Sequence, residues 1–293
     1  RHQRSCHPDQ VDNSSEARAR SAASAYNRRF PDSRQIYAGH RARVMQLISE
    51  LPRGDAICVL GAGNGSDLEL AALAQQYEQI HLVDLDGEAL ERVRAQQPPP
   101  VRDRLVLHED VDLSGLLEHL DDWGERFPEP AELATSAVAA ARGLIRQLGR
   151  SFAATVSTCV LSQLALPFQR SWVTSGPNWA NLLSTLTAVH LATLAGSTRS
   201  GGHGLLVFDT SSSRDTPELM SQREQSGIEL QSFVDRGQAE GWLALRPAPT
   251  DLLQQLASPG LGALVADTEL GLPWLWELGD ATQLVYSLRF RHP

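Results

Sequence analysis

The amino-acid sequence predicts an α/β protein built on a doubly wound, mostly parallel seven-stranded sheet, with helices on both faces and an N-terminal helical lid. Strand-like and helical segments alternate along most of the chain, which is the pattern of repeated βαβ units. The first strand, residues 56–60, is an uninterrupted apolar run, as expected for a strand buried on both faces of a parallel sheet. It ends at a glycine-rich turn, residues 61–65, like the turns that join a strand to a helix in such sheets.

Composition and charge exclude several classes of function. The chain has 293 residues, a formal net charge of -9 and 26 basic residues, all of them arginine. The absence of lysine excludes Schiff-base chemistry and a lysine-containing phosphate loop. A chain this acidic is a poor match for duplex nucleic acid, whose binding needs clustered cations. No apolar run is long enough to span a membrane and no signal peptide is recognisable, so we expect a cytoplasmic protein.

The distribution of charge, proline and glycine predicts the domain organisation. Residues 1–43 hold nine arginines and four acids, and residues 1–22 show no hydrophobic period, so we expect residues 1–22 to be a flexible basic arm. Residues 23–293 then form one domain, of which residues 23–52 are the helical lid. Residues 247–281 are rich in Pro, Gly and Leu and interrupt the alternation, so we expect them to be an insertion before the last strand.

Short apolar runs between turn signals predict the remaining strands. These strands lie at residues 80–83, 105–108, 152–156, 204–208, 242–245 and 283–290. The helix after the glycine-rich turn is expected to begin at Ser66, because Ser66 and Glu69 match a capping box.

Glycine and aspartate residues follow the first three strands. Gly61 and Gly63 leave the backbone amides of the turn open to a ligand, since glycine has no Cβ. Asp84, after the second strand, has two carboxylate oxygens that can accept both hydroxyls of a ribose. Asp110, after the third strand, can accept from an adenine amino group, and the N–H of Val111 can meet a ring nitrogen. Because parallel strands end at one edge of a sheet, these groups predict an adenosine-binding crevice.

With these motifs the sequence resembles the class I S-adenosylmethionine-dependent methyltransferases. The resemblance covers residues 40–290 in the order of elements, and its specific motifs lie in residues 57–68, 80–90 and 107–115. It implies a Rossmann-like fold, S-adenosyl-L-methionine as cofactor, S-adenosyl-L-homocysteine as product, and methyl transfer by in-line displacement. The tip of the fourth strand, residues 157–163, lacks the Asn/Asp-Pro-Pro-aromatic motif of amino-directed nucleic-acid methylation, so we expect a small-molecule acceptor.

The resemblance also implies contacts with the cofactor at the ends of the first four strands. The glycine-rich turn would approach the methionine part, and the acid after the second strand would bind the ribose. The next residue would pack on the adenine, the pair after the third strand would contact the adenine edge, and the fourth strand would end beside the transferred methyl group. In order along the chain, these residues are Gly61, Ala62, Gly63, Asp84, Leu85, Asp110, Val111 and Ser157.

The sequence departs from the family pattern at the acid that many members carry two residues before the first glycine. Val59 stands at that position, and Asp67 is our candidate for the missing contact with the amino group of the cofactor. The fourth strand also begins without an acidic residue, in Phe152-Ala153-Ala154.

Two other functions stay open from the sequence. An NAD(P)-dependent oxidoreductase would also use an acid after the second strand, but its fingerprint places the third glycine three residues after the second. Here Gly61, Gly63 and Gly65 are two residues apart. A cofactor-binding module without catalysis is the other alternative, because the tip of the fourth strand carries no acid.

Candidate catalytic groups are few. His40, in the first lid helix, is the candidate general base, and Tyr37 and Ser157 are the other candidates. No grouping of His, Cys and acids has the spacing of a metal site, so we expect no metal. A set of arginines would suit an anionic acceptor, and the alternative is that they are ordinary surface charges. A set of tryptophans could line the acceptor pocket, and the alternative is that they fill the core. These sets are Arg28, Arg29, Arg34, Arg41 and Arg43, and Trp172, Trp179, Trp274 and Trp276.

Overall fold

The computed structural model describes residues 14–28, 33–169, 176–222 and 227–293. The strands among them are β1 (Gly54–Leu60), β2 (Tyr77–Val83), β3 (Leu105–His108), β4 (Phe152–Thr158), β5 (Thr198–Ser212), β6 (Ala266–Leu270), β7 (Trp274–Leu278) and β8 (Ala281–Arg291). The helices are α1 (Ser15–Arg28), α2 (Ser33–Ile36), α3 (Ala38–Ser49), α4 (Leu70–Gln76), α5 (Gly87–Ala95), α6 (Pro99–Arg102), α7 (Leu120–Glu125), α8 (Pro130–Leu148), α9 (Leu166–Gln169), α10 (Gly176–Ser197), α11 (Gly227–Ala239) and α12 (Pro249–Leu256). No helix in these ranges has both the length and the apolar character needed to cross a membrane.

The strands form one sheet in the order β3-β2-β1-β4-β5-β8-β6, and β7 pairs with β8 as well. Strands β1 to β5 are parallel, whereas β8 runs antiparallel to β5, β6 and β7. The predicted doubly wound, mostly parallel sheet is therefore confirmed, with eight described strands in place of seven. Strand order reverses between β1 and β4, which opens a crevice at the carboxyl ends of these strands.

Helices cover both faces of this sheet, and the side chains of β1 alternate between the two layers. Cys58 and Leu60 are buried in a cluster with apolar residues of α8 and α10. Ile57 and Val59 are buried in a second cluster with residues of α3, α4 and α5. Full burial on both faces explains why this strand is apolar throughout.

The C-terminal part of the chain differs from the prediction. Residues 242–245 are not a strand, and residues 247–281, predicted as an insertion before the last strand, contain α12 and the strands β6 and β7. Most residues of β6, Ala266–Leu270, are exposed at the edge of the sheet. An exposed edge strand needs no apolar alternation, so the sequence carried no pattern to mark it.

Two predicted boundaries near the N-terminus are also corrected. Part of the predicted arm is the helix α1, which buries Ala19, while residues 1–13 lie outside the described residues. The helix after the glycine-rich turn begins at Leu70 and not at Ser66. Glu69 forms ion pairs with Arg34 and Arg41, so its carboxylate is engaged by the lid and does not complete a capping box.

Candidate functional site

The carboxyl ends of β1, β2, β3 and β4 surround a cavity of about 840 Å³. Side chains from the turn after β1 and from the ends of β2 and β3 form one part of its wall, and α1 forms the opposite part. Seven of the nine residues assigned to the cofactor from sequence lie in this wall: Gly61, Ala62, Gly63, Asp67, Asp84, Leu85 and Val111.

The glycine-rich turn is tied to the end of β2 and has a backbone that requires glycine. The N–H groups of Gly61 and Ala62 donate to the carbonyl oxygen of Val83, at 2.9 and 3.1 Å, so these amides are not open to a ligand as the sequence predicted. Gly61 has φ of 76° and Gly63 has φ of 47°, in the left-handed region that residues with a Cβ rarely adopt. A Cβ at Gly61 would also lie 2.6 Å from the Cβ of Val160, so this turn and the tip of β4 are in direct contact.

We expect Gly61→Ala to lower the free energy of unfolding by about 1–3 kcal/mol, because the added methyl group meets Val160 and the left-handed backbone becomes strained. Urea denaturation measures the change. Gly143→Ala is the matched control, since a Cβ added at this position in α8 meets no atom within 4 Å. This substitution should raise the free energy of unfolding by about 0.5–1 kcal/mol. Equal effects at the two positions would contradict this account of the turn.

Asp84 organises the corner after β2. Its Oδ2 accepts from the N–H of Gly63 at 2.7 Å, and its Oδ1 accepts from the N–H of Asp86 at 2.9 Å. Burial raises the pKa of this carboxyl group, while these hydrogen bonds favour the ionised form. Each oxygen of a carboxylate can accept two hydrogen bonds, so Asp84 keeps acceptor positions for a ligand in the cavity.

Asp67 places a second carboxylate in the wall. Its side chain is 16% exposed, and its Oδ1 is buried without a hydrogen-bond partner among the described residues. Burial raises the pKa of Asp67 to about 7, opposed by a hydrogen bond from the Thr158 side chain and the charge of Arg41. A buried acceptor without a partner is unfavourable unless a ligand satisfies it, so this atom is suited to a donor, above all a cationic one.

Asp110 does not contact the cavity, contrary to the prediction. It forms an ion pair with Arg20 of α1 at 2.9 Å, and its side chain is 67% exposed. Asp112 lies in the wall instead, where it accepts from the Ser114 N–H at 2.9 Å and from the Leu117 N–H at 2.9 Å. The N–H predicted to meet the adenine ring, that of Val111, donates to the carbonyl oxygen of Asp84 at 3.0 Å. Asp110 has φ of 56°, and this turn carries its side chain out to α1.

Ser157 is also misplaced by the prediction, both as a catalytic and as a cofactor-binding residue. It is fully buried beneath the cavity and its Oγ lies 2.8 Å from Nε2 of His190 in α10. The residues of this strand end that reach the wall are Thr158, Cys159 and Val160. Side chains alternate between faces along a strand, and sequence alone did not fix which face met the cavity.

His40 and Tyr37 lie close together but in different positions relative to the cavity. Tyr37 is in the wall beside Trp276, with ring centroids 4.8 Å apart. His40 is not in the wall described here, because its ring is stacked behind Trp276 with centroids 4.2 Å apart. Its side chain is fully buried, and burial lowers the pKa of His40 to about 3.

Three residues of the predicted arginine set pair with acids, and none of its described members is in the cavity wall. Arg28 pairs with Glu88, and Arg34 and Arg41 pair with Glu69. Arg43 lies over the ring of Trp274, and Arg29 lies outside the described residues, as does Trp172 of the tryptophan set. Trp276 is the member of that set in the wall.

Sequence reasoning missed the contribution of α1 to the cavity. Arg18 is in the wall, together with Ser15, Ala19, Ala22 and Ala25. These small side chains form no strong apolar stripe, so the segment resembled a solvated arm. Only its charge, concentrated in arginine, signalled an interaction with an acidic surface. Within the described ranges, no group of three or more His, Cys, Asp or Glu side chains is arranged to hold a metal ion.

No protein-family model and no curated protein matches the sequence, but solved structures resemble the chain. The glycopeptide N-methyltransferase MtfA in complex with S-adenosyl-L-methionine is 12% identical, with 87% of this chain and 94% of that chain covered and a TM-score of 0.42. The methyltransferase domain of bacterial CtHen1 is 13% identical, with coverage of 87% and 99% and a TM-score of 0.42. TrmN from Thermus thermophilus is 14% identical, with coverage of 85% and 48% and a TM-score of 0.41. Similarities this distant do not indicate a function for this chain.

Proposed function

We propose that this protein transfers a methyl group from S-adenosyl-L-methionine to a small-molecule acceptor. The observation that carries the proposal is the meeting of three chain corners, at Gly63, Asp84 and Val111, in the wall of one cavity that the tip of β4 also reaches. These corners offer a residue without a side chain, a carboxylate and an apolar side chain. A nucleoside with an amino-acid tail needs this combination of groups, in the crevice where doubly wound sheets bind ligands.

The residues present fit this cofactor. Asp84 has acceptor positions left for the ribose hydroxyls, and Leu85 and Val111 offer apolar surface to the adenine. The buried Oδ1 of Asp67 suits the ammonium group of the methionine part, which would supply the donor that this atom lacks. Gly63 adds no side chain to the wall, and a Cβ there would lie only 3.3 Å from Oδ1 of Asn27 in α1, so this close approach of α1 to the turn favours glycine.

When bound, the cofactor supplies a methyl group on a positively charged sulfur atom. The chain contributes the alignment of cofactor and acceptor, and such alignment can lower a reaction barrier by about 7–11 kcal/mol. The wall formed by α1, Tyr37 and Trp276 limits the access of water to the ends of the strands. A proton acceptor is needed only when the attacking atom carries a proton that must leave.

The part of the wall away from the strand turns favours a neutral acceptor with apolar surface. It consists mainly of small or apolar side chains from α1 and from residues 164–169. Arg18 is the single basic side chain in the described wall, against the acids Asp67, Asp84 and Asp112. A multiply charged anion would therefore meet net negative charge, which disfavours such acceptors.

Isothermal titration calorimetry tests the cofactor assignment. We expect micromolar binding of S-adenosyl-L-homocysteine and no response to NAD or NADP. Binding of NAD alone would replace the proposal with an oxidoreductase. Methyl transfer to a panel of neutral small molecules tests catalysis, and tight cofactor binding with no turnover on any acceptor would favour a binding module.

A further inference from the structure

We infer that His40 positions Asp67 by turning a fixed N–H dipole toward its carboxylate, and that His40 is not a general base. His40 is buried behind the cavity wall, and its role rests on the proposed contact between Asp67 and the ammonium group of the cofactor. The indole of Trp274 fixes the imidazole of His40, and this imidazole faces the carboxylate of Asp67.

Trp274 fixes which ring nitrogen of His40 carries the proton. The indole Nε1 of Trp274 lies 3.3 Å from Nδ1 of His40, in hydrogen-bonding geometry. An indole N–H can only donate, so Nδ1 must be the accepting nitrogen of the imidazole. Because the buried ring is neutral at neutral pH, the single imidazole proton then lies on Nε2.

The Nε2–H of His40 faces two acceptors at the cavity wall. Oδ1 of Asp67 lies 3.5 Å from Nε2, and Sγ of Cys159 lies 3.9 Å from it. The contact with Sγ has hydrogen-bonding geometry, whereas the contact with Oδ1 does not and is an ion–dipole attraction. Such an attraction counts for more where water is scarce. Stacking on Trp276, with centroids 4.2 Å apart, fixes the plane of the ring.

This arrangement leaves His40 without a free lone pair for a substrate. One nitrogen accepts from Trp274, and the other presents a proton to the cavity wall. A neutral imidazole in this state cannot remove a proton from a methyl acceptor. It can hold the carboxylate of Asp67 in place and favour its ionised form, which is the form that attracts an ammonium group.

Nitrogen-15 NMR of the imidazole rings tests the assignment directly on the full chain. We expect the spectrum of His40, assigned by its loss in His40→Gln, to show protonated Nε2 and unprotonated Nδ1 at neutral pH. Trp274→Phe keeps an aromatic ring at position 274 but removes its N–H donor, so the nitrogen-15 shifts of His40 should move toward those of a mixture of tautomers. Trp276→Phe is the control, because its indole nitrogen has no hydrogen-bond partner in the described structure and the His40 shifts should keep the Nε2–H pattern. Protonated Nδ1 in the wild-type protein would overturn the inference.

Two ligands and two variants of His40 test its effect on the binding of the cofactor. The side-chain amide of glutamine can still donate toward Asp67, whereas leucine cannot, so His40→Gln should bind S-adenosyl-L-homocysteine within about threefold of wild type and His40→Leu about tenfold more weakly. Affinity for 5′-deoxy-5′-methylthioadenosine, which lacks the amino-acid part, should be unchanged in both. Circular dichroism and urea denaturation confirm that each variant is folded.

The outcomes separate this inference from the proposed function. If the wild-type protein binds neither ligand, the proposed function fails, while the NMR measurement still decides the tautomer of His40. If His40→Gln loses affinity for S-adenosyl-L-homocysteine as strongly as His40→Leu does, the donor role is wrong although the cofactor assignment stands. Equal losses for both ligands would show that His40 supports the whole cavity and does not act through Asp67.

Discussion

Replacing Asp84 with alanine is expected to weaken the binding of S-adenosyl-L-homocysteine by about 1–3 kcal/mol, roughly 10- to 100-fold, because two ribose hydroxyls would lose their acceptor. The same substitution removes the acceptor of the Gly63 N–H and so loosens the neighbouring turn. Calorimetric titration measures the affinity, and urea denaturation measures the effect of the turn on stability. Asp84→Asn retains one acceptor oxygen and should lose less affinity than the alanine variant.

Asp110→Asn is the matched control for Asp84. The sequence assigned both aspartates to the nucleoside, but Asp110 pairs with Arg20 and lies away from the cavity. Its replacement should therefore leave affinity for S-adenosyl-L-homocysteine within about twofold, since exposed ion pairs contribute roughly 0–1 kcal/mol. A large loss at Asp110 together with unchanged binding at Asp84 would refute the location of the nucleoside.

Asp67→Asn is expected to stabilise the folded protein and to weaken the cofactor complex. Burial raises the pKa of Asp67 from 3.8 to about 7, so between these values the native state holds a proton that the unfolded chain has lost. Stability therefore falls as the pH rises through this window and stays lowered above it. Asparagine carries no charge, so the variant should gain on the order of 2–4 kcal/mol at pH 8, with a smaller gain at pH 5.

Urea denaturation at the two pH values checks the gain in stability. Asp110→Asn again serves as a control, with an expected change of about 0.5 kcal/mol or less at both pH values. A lower stability of Asp67→Asn at pH 8 would mean that the carboxylate is paired in the ligand-free protein, contrary to its unsatisfied Oδ1.

The loss of binding in Asp67→Asn should be specific to the amino-acid part of the ligand. We expect about tenfold weaker binding of S-adenosyl-L-homocysteine, because a charge-assisted hydrogen bond is lost, and no change for 5′-deoxy-5′-methylthioadenosine. In the wild-type protein an ammonium group beside Asp67 would favour its ionised form. Binding of S-adenosyl-L-homocysteine at pH 6 should therefore release protons, which calorimetry in buffers of different ionisation enthalpy detects.

The sequence predicted the central strands well because their signal is local. Full burial on both faces makes β1 an apolar run, and the turn after it needs glycine at Gly61, whose φ is 76°. It predicted the C-terminal strands poorly, because β6 is an exposed edge strand with no apolar pattern. The helix α1 was missed as part of the cavity wall because its buried contribution is small side chains such as Ala19, which form no apolar stripe.

The sequence by itself determined the sheet class, the glycine-rich turn and the acid after β2, because burial and backbone conformation restrict residue type at each of these positions. Only the tertiary structure decided which side chains reach the cavity. At the ends of β3 and β4 a change of one or two positions separates Asp112 from Asp110 and Thr158 from Ser157. It also decided the role of His40, because hydrogen-bond partners such as Trp274, 234 residues away along the chain, leave no trace in local sequence pattern.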